Sequence, residues 1–270
     1  MLGNRCIPYM VFGGQITQQL LCPECGATSE PAVNESLTHV IYSTELMERS
    51  RLHPHESFGQ MTGACLRSAM HLRCPNISAN NCMSRPKLEA YLLRSPLVMA
   101  ISVVWQSHRE TASKLESLMN SLTYKLHLAQ VFSISSPEIA SDTYFFRGMV
   151  CYYGQHYVSA FQDCSVGRPR FLLFDDARIR VIGQWRDVLA ECKRARYQPV
   201  LLLYEKDSGT NDIAHLSEIH KGDRRFNCNI VRSKGSFYFL IADDHSQGQR
   251  TALPWVDNDE GRINKVIISL

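Results

Sequence analysis

The sequence predicts a mixed α+β protein, and three observations carry that reading. Five strand-like runs crowd into one stretch: Tyr144–Tyr153, His156–Phe161, Arg170–Phe174, Arg178–Ile182 and Val200–Tyr204, with one helical segment, Trp185–Ala195, among them. A second helix, Glu110–Leu122, sets Leu115, Leu118, Met119 and Leu122 at three- and four-residue spacing, the stripe that one helix face buries. Two cysteine pairs, Cys22 with Cys25 and Cys74 with Cys82, mark a differently textured N-terminal third.

Taken in order, residues 1–21 are a lead-in ending in Leu20-Leu21. From Cys22 to about Arg51 there is a Cys-Pro-Glu-Cys-Gly knuckle followed by β-formers at Thr38, Val40, Ile41, Tyr42 and Thr44. Leu52–Phe58, with His53-Pro54-His55, reads as a loop. Gln60–Leu72 fits a short helix with Met61, Cys65, Leu66 and Met70 on one side,. Leu97–Trp105 is a buried strand. Pro199, which has no N–H to give a ladder, suits an edge or a strand start. After Lys206 the composition loosens, and residues 207–270 read as a tail or linker with little ordered structure, apart from the apolar run Phe237–Ala242.

The chain has 270 residues, 44% hydrophobic and 20% charged, enough for a true core,. A net charge of +3 is too small to argue for nucleic acid or an anionic membrane,. The longest apolar run, Leu97–Trp105, is far short of the roughly 20 residues that span a bilayer. No secretory signal is visible, so the expected location is cytoplasmic or nuclear. There are ten cysteines; in a reducing compartment close pairs tend to hold metal and lone ones to pack as small hydrophobes.

Two constellations carry chemistry. Cys22-x-x-Cys25-Gly26 has the form of a metal knuckle, with thiolates three residues apart and a glycine for the turn behind them. Cys74 and Cys82 would complete a closed structural four-thiolate zinc site. His71 and Cys65 are fallback ligands, and a single knuckle with the other cysteines buried is the plainer alternative. The second constellation is His156, heading a strand whose alternation fixes its face, with Asp175 at the end of the next strand. Asp175 could accept from Nδ1 and leave Nε2 free as a base. Asp176 would support it, and Gly154 would let a substrate backbone pass close. The plainer reading is a hydrogen-bonded structural histidine and an Asp-Asp turn.

Four segments then occur in a telling order. These are Cys22-Pro-Glu-Cys-Gly-Ala-Thr-Ser-Glu-Pro, Gly148-Met-Val-Cys-Tyr-Tyr-Gly-Gln-His-Tyr, Phe174-Asp-Asp-Ala-Arg-Ile-Arg-Val-Ile-Gly-Gln-Trp-Arg-Asp-Val and Tyr197-Gln-Pro-Val-Leu-Leu-Leu-Tyr. Together they resemble the second half of a ubiquitin-specific protease domain, a papain-like cysteine peptidase, over about residues 5–206. The nearest likeness is to the divergent animal subgroup often labelled inactive. The resemblance implies a β-rich palm (about 96–206) and zinc-ribbon fingers (about 15–95) that hold ubiquitin, with the helical thumb largely absent. It makes His156 the base, Asp175 its orienting acid, and Cys22, Cys25, Cys74 and Cys82 the zinc ligands. Ubiquitin or a ubiquitinated protein is the implied partner, with no nucleic acid and no membrane.

The nucleophile is what the resemblance does not supply. Gly3-Asn4-Arg5-Cys6 imitates a Gly-Asn-x-Cys box, but Cys6 stands sixteen residues before Cys22 and is followed by Ile7-Pro8, unlike a helix starting at an activated thiol,. Cys151, Cys164 and Cys192 lack any feature that would lower a thiol pKa. The chain alone is therefore expected to be inactive in isopeptide hydrolysis, with truncated strands exposing apolar surface. A non-catalytic ubiquitin-binding scaffold is the alternative, and a zinc-ribbon nucleic-acid binder ranks below both.

Overall fold

The computed structural model describes residues 7–68, 72–76, 82–134, 136–163 and 170–207, together with the backbone of four later strands. The chain divides into two compact units, residues 1–157 with 189–207, and residues 158–188 with 208–270.

The first unit contains two sheets. In the smaller one, β1 (Gly14–Leu21) pairs antiparallel with β2 (Ala32–Ser36) and β4 (Lys87–Arg94), and β4 pairs in parallel with β7 (Ser133–Ile134). The larger one has β12 (Gln198–Lys206) between β8 (Thr143–Tyr153) and β5 (Val98–Val104). There β3 (His39–Tyr42) lies parallel to β5, and β6 (Lys125–His127) runs along β8. Helices α1 (Ile7–Phe12), α2 (Ser43–Leu52), α3 (Phe58–Leu66), α4 (Ala112–Ser121), α5 (Leu128–Val131), α6 (Pro137–Ala140) and α7 (Trp185–Ala195) complete the elements, the last beginning in the other unit.

The core lies on the larger sheet. Met99 and Ile101 of β5, Tyr144, Phe146 and Met149 of β8, and Leu202 and Tyr204 of β12 are all fully buried. Phe58 stacks on Tyr204 at 6.1 Å, and Phe146 meets the same ring edge-on at 5.5 Å. The buried phenols keep hydrogen bonds: Tyr204 donates to the Thr123 carbonyl and Tyr144 to that of Pro96. Burial pushes both phenol pKa values well above their ordinary range,. Helix α3 begins with a full capping box on Ser57 and Gln60,. Its Gly63 lies so close to α5 that a Cβ there would meet the Val131 carbonyl oxygen at 2.6 Å.

The second unit holds an antiparallel meander of β9 (His156–Asp163, which begins in the first unit), β10 (Arg170–Asp175) and β11 (Arg178–Gly183). Arg170 pairs with Asp163 at the open end of β9 and β10, at 3.1 Å. Residues 207–270 contain two hairpins, β13 (Cys228–Ser233) with β14 (Ser236–Ile241) and β15 (Leu253–Val256) with β16 (Ile263–Val266).

Most expected elements appear within a residue or two of their predicted bounds. Three differences have physical causes. Thr44 to Arg51, expected to be extended or irregular, is helical in α2. That helix buries only Ser43 and Leu46, too few apolar positions to show a periodic stripe. The helix expected over Gln60–Leu72 runs Phe58–Leu66, moved forward by the Ser57 cap. Pro199 is the second residue of β12, so the strand-start placement holds while the edge placement does not, and this internal ladder tolerates it because the register shifts between Pro199 and Leu201,. Among the described residues, no helix is long and apolar enough to cross a membrane.

Two stability predictions follow from this packing. His39 is buried against Phe132, with ring centroids 5.0 Å apart, and burial holds its pKa at about 4 against an ordinary 6.5,. The unfolded chain therefore binds the proton first as pH falls. Stability should be complete above about 6.5 and decline towards 4, by on the order of 3 kcal/mol in all. Denaturant unfolding across that range should show the slope, and His39→Leu should flatten it. Arg196, exposed after α7, holds φ 59° where the Tyr197 N–H closes the helix onto the Cys192 carbonyl, a C-terminal position that favours glycine. Arg196→Gly should stabilise by about 1 kcal/mol in the same measurement.

Candidate functional site

Strand polarity assembles the cysteine cluster. β1 and β4 are antiparallel with Leu21 opposite Lys87, so the end of one meets the start of the other. Cys22 directly follows β1 and Cys82 shortly precedes β4. The knuckle between them is tied by the Gly26 N–H to the Cys22 carbonyl and the Cys22 N–H to the Ala27 carbonyl. Gly26 takes φ +71°, which suits glycine,. The sulfur of Cys22 lies 3.7 Å from that of Cys82, and Cys25 3.5 Å from Cys74. All four are free thiols within 4.8 Å of one another, too far apart for disulfides and close enough to hold one metal ion.

Electrostatics favour a cation there. The backbone N–H of Cys25, and after it that of Glu24, point at the Cys22 sulfur and lower its pKa to about 6, while burial pushes Cys74 up to about 12. One thiolate forms readily beside Cys74, whose buried thiol resists ionisation,. Of the fallback ligands, Cys65 lies on α3 outside this cluster, and His71 falls outside the described residues.

The histidine region starts from a tight turn. Gly154 and Gln155 link β8 to β9 with φ of 52° and 93°, the left-handed pair that a two-residue hairpin requires. A Cβ on Gly154 would meet nothing within 4 Å, so glycine is demanded there by the turn, with open space around it. His156 is the first residue of β9, and Asp175 is the last of β10. Asp175 stands opposite Val158 in the ladder. His156 is two residues from Val158 and so shares its face, which is also the face of Asp175. Asp176 follows in the turn at φ 49°. A ring nitrogen of His156 and a carboxylate oxygen from each aspartate lie within 4.8 Å of one another.

Aromatic rings frame the histidine. Tyr153 meets His156 edge-to-face at 5.5 Å and 83°, and Tyr197 at 5.2 Å and 82°. Tyr152 lies between Tyr157 at 5.6 Å and His108 at 5.5 Å. Sequence reasoning had not assigned Tyr153 or Tyr197 to the site. The two-residue Gly154-Gln155 turn was the available signal for Tyr153, since it sets that residue across from His156. Tyr197 is 44 positions away from Tyr153 and gave none.

Among the described residues, Cys65, Cys151 and Cys192 lie outside the cluster. Burial pushes Cys65 up to about 12 and Cys151 well above its ordinary range, with Cys192 adding to the effect on Cys151. Cys192 is buried in α7 beside the Met149 sulfur. Cys6 and Cys164 fall outside the described residues.

Comparison with known proteins places the chain in a family. The chain is 32% identical over 215 residues to "Ubiquitin carboxyl-terminal hydrolase 54" of Mus musculus, an alignment covering 77% of this chain and 13% of that protein. It is 30% identical over 217 residues to "Ubiquitin carboxyl-terminal hydrolase 53" of Homo sapiens, covering 77% and 19%. The chain thus spans less than a fifth of the length of these relatives. In fold it resembles the Saccharomyces cerevisiae PAN2 pseudoubiquitin-hydrolase–RNase module, with a TM-score of 0.51 and 11% identity over 76% of this chain and 33% of that one. The pattern that defines the family described as ubiquitin carboxyl-terminal hydrolase matches residues 1–204, and the chain belongs to that family.

Proposed function

We propose that this chain forms the ubiquitin-holding palm and fingers of a thiol-dependent deubiquitinase, which cleaves the isopeptide bond at the C-terminus of ubiquitin. His156 is the general base and acid, and Asp175 orients it. The observation that carries this reading is the shared strand face of His156 and Asp175, with their polar atoms within 4.8 Å. In the reaction, Nε2 takes the proton from a cysteine thiol, the thiolate attacks the isopeptide carbonyl, and the same nitrogen returns the proton to the leaving lysine amine. Asp175, accepting from Nδ1–H, keeps the tautomer in which Nε2 is free and steadies the imidazolium that forms. Asp176 adds negative charge beside it, and the turn at Gly154 leaves room for an extended peptide.

Zinc fits the cysteine cluster. Four bonds of about 2.3 Å directed to the corners of a tetrahedron set the sulfurs about 3.8 Å apart, near the 3.5 and 3.7 Å separations here. With all four positions taken by thiolates, such an ion supports the fingers and takes no part in hydrolysis.

The second reading, a ubiquitin-binding scaffold without chemistry, is favoured by the described cysteines. Cys65 and Cys151 have raised pKa values, and Cys192 is buried. A cytoplasmic or nuclear setting is consistent with either reading.

Reaction with a ubiquitin probe bearing a C-terminal electrophile tests both. The expected result is reversible binding that perturbs the ubiquitin tail resonances, weakened by Asp175→Arg, with no adduct on Cys65, Cys151 or Cys192. Covalent capture at any of these would overturn the residue assignment, and no binding at all would overturn both readings. For the metal, the purified chain should contain one zinc per molecule. Cys22→Ser should lose it and unfold at a lower temperature, while Cys65→Ser keeps it. Unchanged zinc in Cys22→Ser would retire the site.

A further inference from the structure

We propose that Tyr153 is a positioning residue for His156, a reading that rests on His156 being the base. Its ring forms the middle of a three-ring stack, perpendicular to the imidazole of His156 on one side (83°, 5.5 Å) and to the phenol of Tyr197 on the other (82°, 5.2 Å). The two ends of the stack are fixed differently. Tyr197 is 6% exposed, and its backbone N–H is held by the Cys192 carbonyl at the end of α7, so it is an anchor. His156 is the end whose orientation matters, since rotation about its side-chain bonds would swing Nε2 away from any fixed thiol. Tyr153 is 43% exposed, so its ring stands between the anchor and the imidazole at the surface.

The backbone supports the same end. Gly154 and Gln155 both sit at positive φ, and Gln155, which has a Cβ, pays a conformational cost at 93° that only the surrounding hairpin maintains. The strained turn therefore fixes the spacing between Tyr153 and His156, and the edge-to-face contact fixes the imidazole plane. An aromatic pair of this geometry contributes about 0.5–1.5 kcal/mol. Its loss should lower the population of the poised imidazole rotamer by about two- to ten-fold. The phenol hydroxyl has no part in the effect, so phenylalanine should serve equally well.

Nuclear magnetic resonance of the full chain with labelled histidine reads the imidazole directly. Tyr153→Phe should leave the Hε1 and Hδ2 resonances of His156 in place. Tyr153→Thr, a β-former suited to an exposed strand position, should move them towards free histidine and broaden them through rotamer exchange. Resonances that stay sharp in Tyr153→Thr would overturn the proposal, because loss of the neighbouring ring current shifts them by itself, whereas exchange broadening requires a loosened imidazole. Should Tyr153→Thr not fold, Tyr153→Trp keeps an aromatic in place with a larger ring current and must displace the His156 resonances; no displacement would count equally against the idea. These spectra need no ubiquitin. A failure to bind ubiquitin would therefore sink the deubiquitinase reading and leave the ring result standing.

Discussion

The functional reading depends on the register of one strand pair. β9 and β10 are aligned so that Asp175 faces Val158, and the two-residue spacing from Val158 to His156 does the rest. A slip of one residue would carry Asp175 to the opposite face, away from the imidazole. Two tight turns flank the pair. Gly154-Gln155 closes one end of β9 with paired positive φ values, and Asp176-Ala177 closes β10 onto β11, with Asp175 opposite Arg178. Both turns contain residues other than glycine in the left-handed region, Gln155 and Asp176. Conformational strain of this kind persists only where the surrounding ladder outweighs it. Here it is concentrated beside the two side chains whose alignment matters most.

The cysteine cluster obeys the same logic at a different scale. Its sulfurs come from opposite ends of a stretch of more than 50 residues, yet they meet because β1 and β4 run antiparallel, so that the end of β1 lies beside the start of β4. The length of the intervening chain is therefore free to vary, and β2, β3, α2 and α3 occupy it. The wide spacing between Cys74 and Cys82 is likewise no obstacle, since each reaches a different partner of the first pair, Cys74 near Cys25 and Cys82 near Cys22. What the spacing within each pair must satisfy is the sulfur geometry, and the separations do so.

Much of this could be read from the residues. The strands of the second half announced themselves because their apolar residues alternate or run continuously, and α7 because its bounds coincide with its amphipathic stretch. The closeness of His156 and Asp175 was legible from consecutive strands joined in a meander, where neighbours in sequence are neighbours in space. Other features were not. β3 lies between the two cysteine pairs in sequence and joins the larger sheet in parallel with β5, a long-range pairing that no local pattern encodes. Helix α2 has too little buried apolar surface to show a period. The burial of His39 arises from Phe132, 93 positions away, and the Tyr197 contact with Tyr153 is equally remote. In each case the missing information is tertiary, and local propensity was overridden by what the side chain meets.

The central claim is that the Asp175 carboxylate accepts a hydrogen bond from Nδ1 of His156 and leaves Nε2 bare. Nitrogen-15 chemical shifts of the His156 ring, recorded on neutral imidazole in the folded chain, report the tautomer directly. The account predicts a protonated Nδ1 and an unprotonated Nε2, with that preference lost in Asp175→Ala. A ring protonated at Nε2, or one whose tautomer ignores the removal of Asp175, would contradict it.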